Sequence, residues 1–195
     1  GFDADTVVRS GCMAKDADMI LSEFILLGIG GKELSEENAA QTAKALNIIQ
    51  PDFIRVHATG IKLESKLGEF VRDGSFTLQS EEEIVIEQKL FLQQLHEMDS
   101  YYVNEHIVNL LLEVRGNLRT EKQEMLSTID RFLTLPPDER LLFTVGRRLN
   151  IFFRLDDLKK PKLHQKAGES LQQILSKNPH VDFAALCNYV RQSQI

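Results

Sequence analysis

The clearest hydrophobic pattern of the chain is an apolar run that ends in a cluster of glycines. The run predicts a β-strand over residues 22–27, and its lack of alternation favours a strand covered on both faces, as in a parallel sheet. Three glycines follow within four positions: Gly28, Gly30 and Gly31. Glycine permits positive φ and a close approach of the backbone to another group. The pattern therefore predicts a strand that leads into a tight loop.

Strand and helix patterns continue to alternate after this loop. Ser35 is a suitable N-cap for a helix over residues 36–47, and a capping box of Ser80 and Glu83 opens a longer helix. The other predicted elements, in chain order, are a strand over 53–57, a helix from Glu81, a short strand within 100–105, a helix with Gly116 as its C-cap, and helices over 121–133, 138–149, 165–176 and 182–191. This order predicts an α/β fold followed by a mainly helical carboxyl-terminal region.

Two interpretations of the glycine loop are open at this stage. In α/β proteins, a glycine loop between a strand and a helix often holds a cofactor at the carboxyl end of the strand. Glycine loops after strands are also common as tight turns that bind nothing. The spacing of the glycines alone does not choose between a cofactor loop and a turn.

The neighbourhood of the loop resembles a known superfamily, the radical S-adenosylmethionine enzymes. In these enzymes the fifth strand of a partial barrel carries a pattern G-x-I-x-G-x-x-E, often written ILGLGGKE…SEE. Leu26 and Gly28 match this pattern, whereas Phe24 and Gly31 stand where the family has a glycine and an acidic residue. The segment PDFIRVH, from residue 51, resembles the sixth strand, and GIKLESKLGEF, from residue 60, resembles the loop after it without its prolines.

The resemblance implies a fold, a cofactor and a mechanism. Residues 1–112 would form the later β/α units of a partial TIM-type barrel with parallel strands, and residues 113–195 a helical region. In the family, a 5′-deoxyadenosyl radical made from S-adenosylmethionine abstracts hydrogen from the substrate. The residues that the resemblance places near this cofactor are Leu26, Gly28, Ile29, Gly30, Gly31, Val56 and His57.

A second cofactor of the family, a 4Fe-4S cluster, requires three cysteines in a C-x-x-x-C-x-x-C loop. This chain has two cysteines, Cys12 and Cys187, and cannot ligate such a cluster alone. We therefore expect a fragment of a longer enzyme, inactive alone, that contributes cofactor and substrate contacts and pairs with the missing N-terminal part of the barrel. The stretch between Gly11 and Leu21 is too short for the helix that precedes the glycine strand in the family. Either this helix is shortened in the protein or residues are missing there, and missing residues are the favoured expectation.

Two groups of polar residues are candidates for the substrate pocket. Arg55 and His57 share one side of a predicted strand; they either contact cofactor or substrate, or serve as an ion-paired barrel residue and a loop residue. Asn104 and His106 follow the next strand, where they either line the pocket or cap a helix. The histidines and cysteines show no H-E-x-x-H or C-x-x-C spacing, so no metal site is predicted. The substrate itself is not identified.

Composition restricts the partner classes. A formal net charge of −6 speaks against wholesale nucleic-acid binding. Residues 140–166 differ, with eight basic side chains, two acidic ones and interleaved phenylalanines. This segment either binds RNA or a partner, which would make the chain an autonomous non-catalytic α/β binding module, or forms an amphipathic helix with solvated arginines.

The number of cysteines and the length of the apolar runs indicate the cellular compartment of the protein. The cysteines are too widely spaced for a disulfide framework, and Cys187 lies in an apolar helical pattern that is typical of a buried thiol. No apolar run approaches the ~18 residues of a membrane span. The sequence therefore predicts a cytoplasmic protein without a membrane partner.

Overall fold

The structure, a computed structural model, describes residues 3–194 and has an α/β architecture. Within these residues the elements are α1 (Ala4–Asp16), β1 (Ser22–Leu27), α2 (Ser35–Ile49), β2 (Phe53–Ala58), α3 (Lys66–Asp73), α4 (Glu81–Gln94), β3 (Tyr101–Val103), β4 (Gly116–Asn117), α5 (Leu118–Leu133), α6 (Pro137–Arg148), a 3₁₀ helix (Leu155–Lys159), α7 (Pro161–Lys177) and α8 (Phe183–Gln192). The predicted α/β class with a helical carboxyl-terminal part is confirmed.

The four strands form one mixed sheet in the order β1-β2-β3-β4. The first three strands are parallel, with Ser22 opposite Phe53 and Phe53 opposite Tyr101. The short strand β4 pairs antiparallel with β3. Each parallel strand therefore lies beside the next one in the sequence, and helices connect them.

The helices that connect the parallel strands cover one face of the sheet. Helix α2 contacts both α1 and α4. The hydrophobic core below them includes Ile25 and Leu27 from β1 and Ile54 from β2. On the opposite face, Phe24 and Leu26 are 64% and 47% exposed. The prediction that β1 is covered on both faces was wrong, because the side chains on its exposed face are also apolar and hide the alternation.

The first helix corrects the expectation of a gap near the start of the chain. Helix α1 begins after Asp3, whose carboxylate accepts a hydrogen bond of 2.8 Å from the backbone N–H of Thr6. Gly11 lies inside this helix against Ile49 of α2, where a Cβ would come within 2.7 Å of the isoleucine Cγ2. The helix that precedes β1 is therefore α1 itself, and missing residues are not needed to supply it.

Residues 106–115 do not form the predicted helix. The Asn109 side chain donates to the carbonyl of Val56 at 2.6 Å and accepts from the N–H of Ala58 at 2.7 Å. The Asn104 amide donates to the carbonyl of Leu111 at 2.6 Å. Such side-chain bonds to backbone groups compete with helix formation. Gly116, which was expected to cap that helix, begins β4 instead.

The remaining helices agree with the hydrophobic periodicity to within a few residues. Their core is a row of aromatic rings, with centroids 5.8 Å apart for Phe132 and Phe143 and 5.9 Å apart for Phe143 and Phe152. These rings belong to the same core cluster as Ile54 of the sheet. Between residues 3 and 194, no helix combines the length and the apolar character that crossing a membrane requires.

Candidate functional site

The uncovered face of the sheet, called the open face below, is the candidate functional site. Because side chains alternate along strands and the register is known, its members can be assigned from the sheet pairing. They are Ser22, Phe24, Leu26, Phe53, Arg55, His57, Tyr101 and Val103. The carboxyl ends of β1, β2 and β3 meet at one edge of this face, which is where α/β proteins place ligand sites.

A cluster of rings lies at the carboxyl end of the open face. The imidazoles of His57 and His106 are stacked, with centroids 4.2 Å apart, and the ring of Phe24 meets His57 edge-on at 5.5 Å. Partial burial lowers the pKa of His57 below its ordinary value of 6.5, and electrostatic repulsion from the neighbouring His106 and Arg55 lowers it further. His57 is therefore a neutral imidazole at pH 7, in which one ring nitrogen donates a hydrogen bond and the other accepts one.

Arg55 is held between two aromatic rings in the middle of the open face. Its guanidinium carbon lies 6.0 Å from the ring centroid of Phe24 and 5.8 Å from that of Phe53. Its Nε–H donates to the hydroxyl of Ser22 at 3.0 Å. None of the ion pairs formed among residues 3–194 includes Arg55. The alternative of an ion-paired Arg55 therefore has no counterpart in this part of the chain.

The glycine loop after β1 is closed by a buried carboxylate. Glu87 of α4 is fully buried and accepts from the N–H of Gly28 at 3.1 Å, from the Asn38 amide at 2.7 Å and from the Ser35 hydroxyl at 3.0 Å. Ser35 was expected to be the N-cap of α2, but Leu34 occupies that position and Ser35 serves Glu87 instead. The protein itself therefore uses the Gly28 amide that a ligand would need.

The glycines are required by the turn that they form. Gly28 and Gly31 have φ values of +82° and +63°, which disfavour residues with a Cβ. A Cβ at Gly30 would lie 2.9 Å from the carbonyl oxygen of Leu34, and one at Gly31 would lie 3.0 Å from the carbonyl oxygen of Thr77. Neighbouring protein atoms thus fill the space beside these residues, and the tight-turn interpretation accounts for the glycines without a ligand.

The structure brings some predicted site residues together and separates others. Leu26, Arg55, His57 and His106 lie on or beside the open face, and Ile29 is 37% exposed in the adjoining loop. Two further residues that were expected to contact cofactor or substrate lie elsewhere. The Val56 side chain faces the helices and is 1% exposed, and its carbonyl accepts from Asn109. Asn104 is also 1% exposed and bonds to the loop backbone.

Two important residues were not recognised in the sequence. Phe24 was noted only as a departure from a family glycine, although it lies two positions before Leu26 and so on the same side of the strand. Glu87 falls three residues after Ile84 on the apolar side of α4, and a carboxylate at such a position signals a buried polar contact.

No family model, no curated protein and no solved structure matches this chain. Among the described residues, no three His, Cys, Asp or Glu side chains are grouped so that they could hold a metal ion. The open face and the resemblance of its strands are therefore the features of the molecule that bear on its function.

Two arginines of the basic segment 140–166 are buried, whereas Arg154 and the four lysines of the segment are exposed. Arg147 and Arg148 are 1% and 6% exposed. Burial lowers the pKa of Arg147 to about 10, whereas Arg148 forms an ion pair with Glu81 at 2.6 Å. Both interpretations of the segment, an RNA surface and an amphipathic helix with solvated arginines, were therefore wrong for these two residues.

Proposed function

We propose that this chain forms the later β/α units of a partial TIM-type barrel in a radical S-adenosylmethionine enzyme. One observation carries the proposal: the parallel strands have helices on one face and an uncovered, largely apolar and aromatic face on the other. Parallel sheets are normally covered on both faces. In a barrel, the remaining strands close over the inner face, so the open face would be part of the wall that surrounds cofactor and substrate.

The strand order supports a barrel over a doubly wound sheet. In a barrel, strands that follow one another in the sequence are neighbours, and all connecting helices lie outside. A doubly wound sheet reverses its strand order at a switch point and has helices on both faces. Here β1, β2 and β3 are neighbours in sequence order, and α1, α2 and α4 lie side by side.

The resemblance supports the assignment of the barrel to the radical S-adenosylmethionine superfamily. The two segments that resemble its fifth and sixth strands coincide with β1 (Ser22–Leu27) and β2 (Phe53–Ala58), which pair in parallel. The glycine loop follows β1 directly, at the carboxyl end where the family uses it. The two strands and the glycine loop that carry the resemblance are thus neighbours in the folded chain.

The residues of this chain do not fit the iron–sulfur cluster of the superfamily. Cys12 lies in α1 and Cys187 in α8, and a cluster needs three thiolates in one loop. Burial raises the pKa of Cys187 to about 12, which keeps this thiol protonated and agrees with its predicted role in the core. In the proposal, the cluster ligands belong to the missing N-terminal part of the barrel, which is the partner of this chain.

The fit to S-adenosylmethionine is through side chains. Leu26 and Ile29 are exposed apolar residues at the end of β1, and His57 is a neutral imidazole at the end of β2. The Gly28 N–H is not available, because it is donated to Glu87. In the superfamily this cofactor supplies the radical that abstracts hydrogen, and the residues of this chain would orient it and exclude water.

The alternative function, an autonomous non-catalytic module that binds RNA or a partner through residues 140–166, loses support. It needs an exposed basic surface. Arg147 and Arg148 are buried, and Arg140 is held by Glu82 at 3.0 Å. The exposed basic residues that remain are Arg154 and four lysines, and two of these lysines, Lys159 and Lys160, pair with acidic residues of the same segment. Two arginines of the segment, Arg140 and Arg148, instead connect α6 to α4 through Glu82 and Glu81.

Replacing His57 with alanine tests the proposed cofactor contact. In the protein expressed from its complete reading frame and loaded anaerobically with iron and sulfide, we expect the dissociation constant for S-adenosylmethionine to rise about tenfold. This is the effect of one lost hydrogen bond and ring contact of about 1.4 kcal/mol. Equilibrium dialysis measures the constant, and His180→Ala, at an exposed position, is the control. Equal affinity in the two variants would count against the proposed site.

A further inference from the structure

We infer that Arg55 is the centre of a binding site for a singly charged organic carboxylate on the open face. The inference rests on the proposed function and deepens it by naming a substrate class: an acid with an apolar or aromatic body. Three observations carry it, namely the fixed geometry of Arg55, the absence of acidic groups on its face and the single charge of the site.

The geometry leaves one side of the Arg55 guanidinium for a ligand. The rings of Phe24 and Phe53 lie within about 6 Å of its central carbon, and the Nε–H is used by the Ser22 hydroxyl. Among the described residues, the two terminal nitrogens donate to no protein acceptor. A guanidinium held in this way presents a planar pair of donors that matches the two oxygens of a carboxylate. This pair of donors, called the guanidinium fork below, is thus largely preorganised before the ligand binds.

The open face carries no carboxylate that could neutralise Arg55. Its eight members are apolar, aromatic, hydroxyl-bearing or basic. The neighbouring acids are accounted for elsewhere: Glu23 lies on the opposite side of β1, where burial raises its pKa, and Glu105 is paired with Arg115. Arg55 is thus a partly buried cation without an acidic partner among residues 3–194, in a chain of negative net charge, and it calls for an anion from outside.

The charge of the site favours a monoanion over a phosphate. Arg55 is the permanently charged member of the open face, because His57 is neutral at pH 7. One positive charge balances a carboxylate, whereas a phosphate monoester carries about −1.5 to −2 at that pH. The exposed side chains of Phe24 and Leu26 beside Arg55 would contact the apolar body of the acid.

A titration with sodium benzoate tests this inference on the present chain. The NMR signals of the Arg55 Nε–H and the His57 ring are followed as benzoate is added at pH 7. We expect saturable shifts, and binding at least about tenfold weaker in Arg55→Gln, because a charge-assisted bidentate bond is lost. Arg55→Lys keeps the charge but not the fork and should lose most of the affinity. Arg9→Gln, at an exposed position on α1, is the control and should bind as the unchanged protein does.

Two further probes define the ligand class. Benzamide has the same shape without the charge and should give no saturable shift, and inorganic phosphate should bind more weakly than benzoate. Saturation that survives in Arg55→Gln, tighter binding of phosphate than of benzoate, or no saturation by benzoate would each overturn the inference. The titration uses neither iron nor S-adenosylmethionine. A failure here is therefore separable from a failure of the His57 test of the proposed function.

Discussion

Replacing Glu81 with alanine is expected to lower the free energy of unfolding by about 3–5 kcal/mol, because it leaves two buried guanidiniums without a counter-charge. Glu81 opens α4 and its side chain is 4% exposed. Its two oxygens bind Arg148 of α6, at 3.0 and 2.6 Å, and Arg191 of α8. Arg191 also donates to the carbonyl of Thr59 in the loop after β2. One carboxylate thus joins three helices to the edge of the candidate site.

Urea unfolding measured by circular dichroism gives the size of the Glu81 effect. The matched control is Glu82→Ala on the same turn of α4, since Glu82 pairs with Arg140 at 3.0 Å but is 43% exposed. A surface pair of this kind is worth about 0–1 kcal/mol. If the two variants unfolded at the same urea concentration, the buried cluster would not be a main source of stability.

The Glu81 cluster also determines how stability depends on pH. Burial by itself raises the pKa of Glu81, but Arg148 and Arg191 outweigh it and place the pKa below its ordinary value of 4.5. The contribution of this carboxylate is therefore complete above about pH 4.5 and is lost as the pH falls through the lowered pKa. The difference in unfolding midpoint between the unchanged protein and Glu81→Gln should accordingly shrink in acid.

Replacing Glu87 with alanine is expected to cost about 2–4 kcal/mol and to release the glycine loop. The buried N–H of Gly28 and the side chains of Asn38 and Ser35 lose their common acceptor, and each unsatisfied buried donor costs about 1–3 kcal/mol. Denaturant unfolding gives the free energy, and hydrogen exchange gives the protection of the Gly28 amide. Glu36→Ala, at an exposed position in α2, is the control and should change the free energy of unfolding by less than about 1 kcal/mol.

The hydrogen-exchange rate of the Gly28 amide tests whether Glu87 closes the glycine loop. Its exchange should accelerate in Glu87→Ala and stay unchanged in Glu36→Ala. A Gly28 amide that stays protected without Glu87 would mean that another group closes the loop. The tight-turn interpretation of the glycines would then need a different acceptor.

The regular elements were predictable because their signals are local. The apolar run gave β1 with the observed bounds, and the capping box of Ser80 and Glu83 marked the start of α4. Both signals depend on neighbouring residues of the chain. They do not depend on tertiary contacts, and for this reason the predicted elements agree with those of the folded protein.

The less regular parts depend on contacts that are distant in sequence. Asn109 bonds to the end of β2 and so keeps residues 106–115 from forming a helix, although their apolar pattern favours one. The burial of Arg148 depends on Glu81, which lies 67 residues earlier. Such pairings become visible only when the fold brings the segments together.

The candidate site was predictable in part for a related reason. Arg55 and His57 were placed on one side of a strand by their spacing, whereas the contribution of Phe24 required the register between β1 and β2. The glycine loop was found from its sequence, but its closure by Glu87 required the packing of α4 against β1. Periodicity identifies a face, and tertiary contacts decide what that face can do.

The complete reading frame that encodes this chain tests the central claim most directly, because the barrel proposal requires strands and cluster ligands that this chain does not supply. Its translation is expected to contain, upstream of Gly1, a C-x-x-x-C-x-x-C loop and further strand and helix repeats. A complete frame without that three-cysteine loop would contradict the assignment to a radical S-adenosylmethionine enzyme.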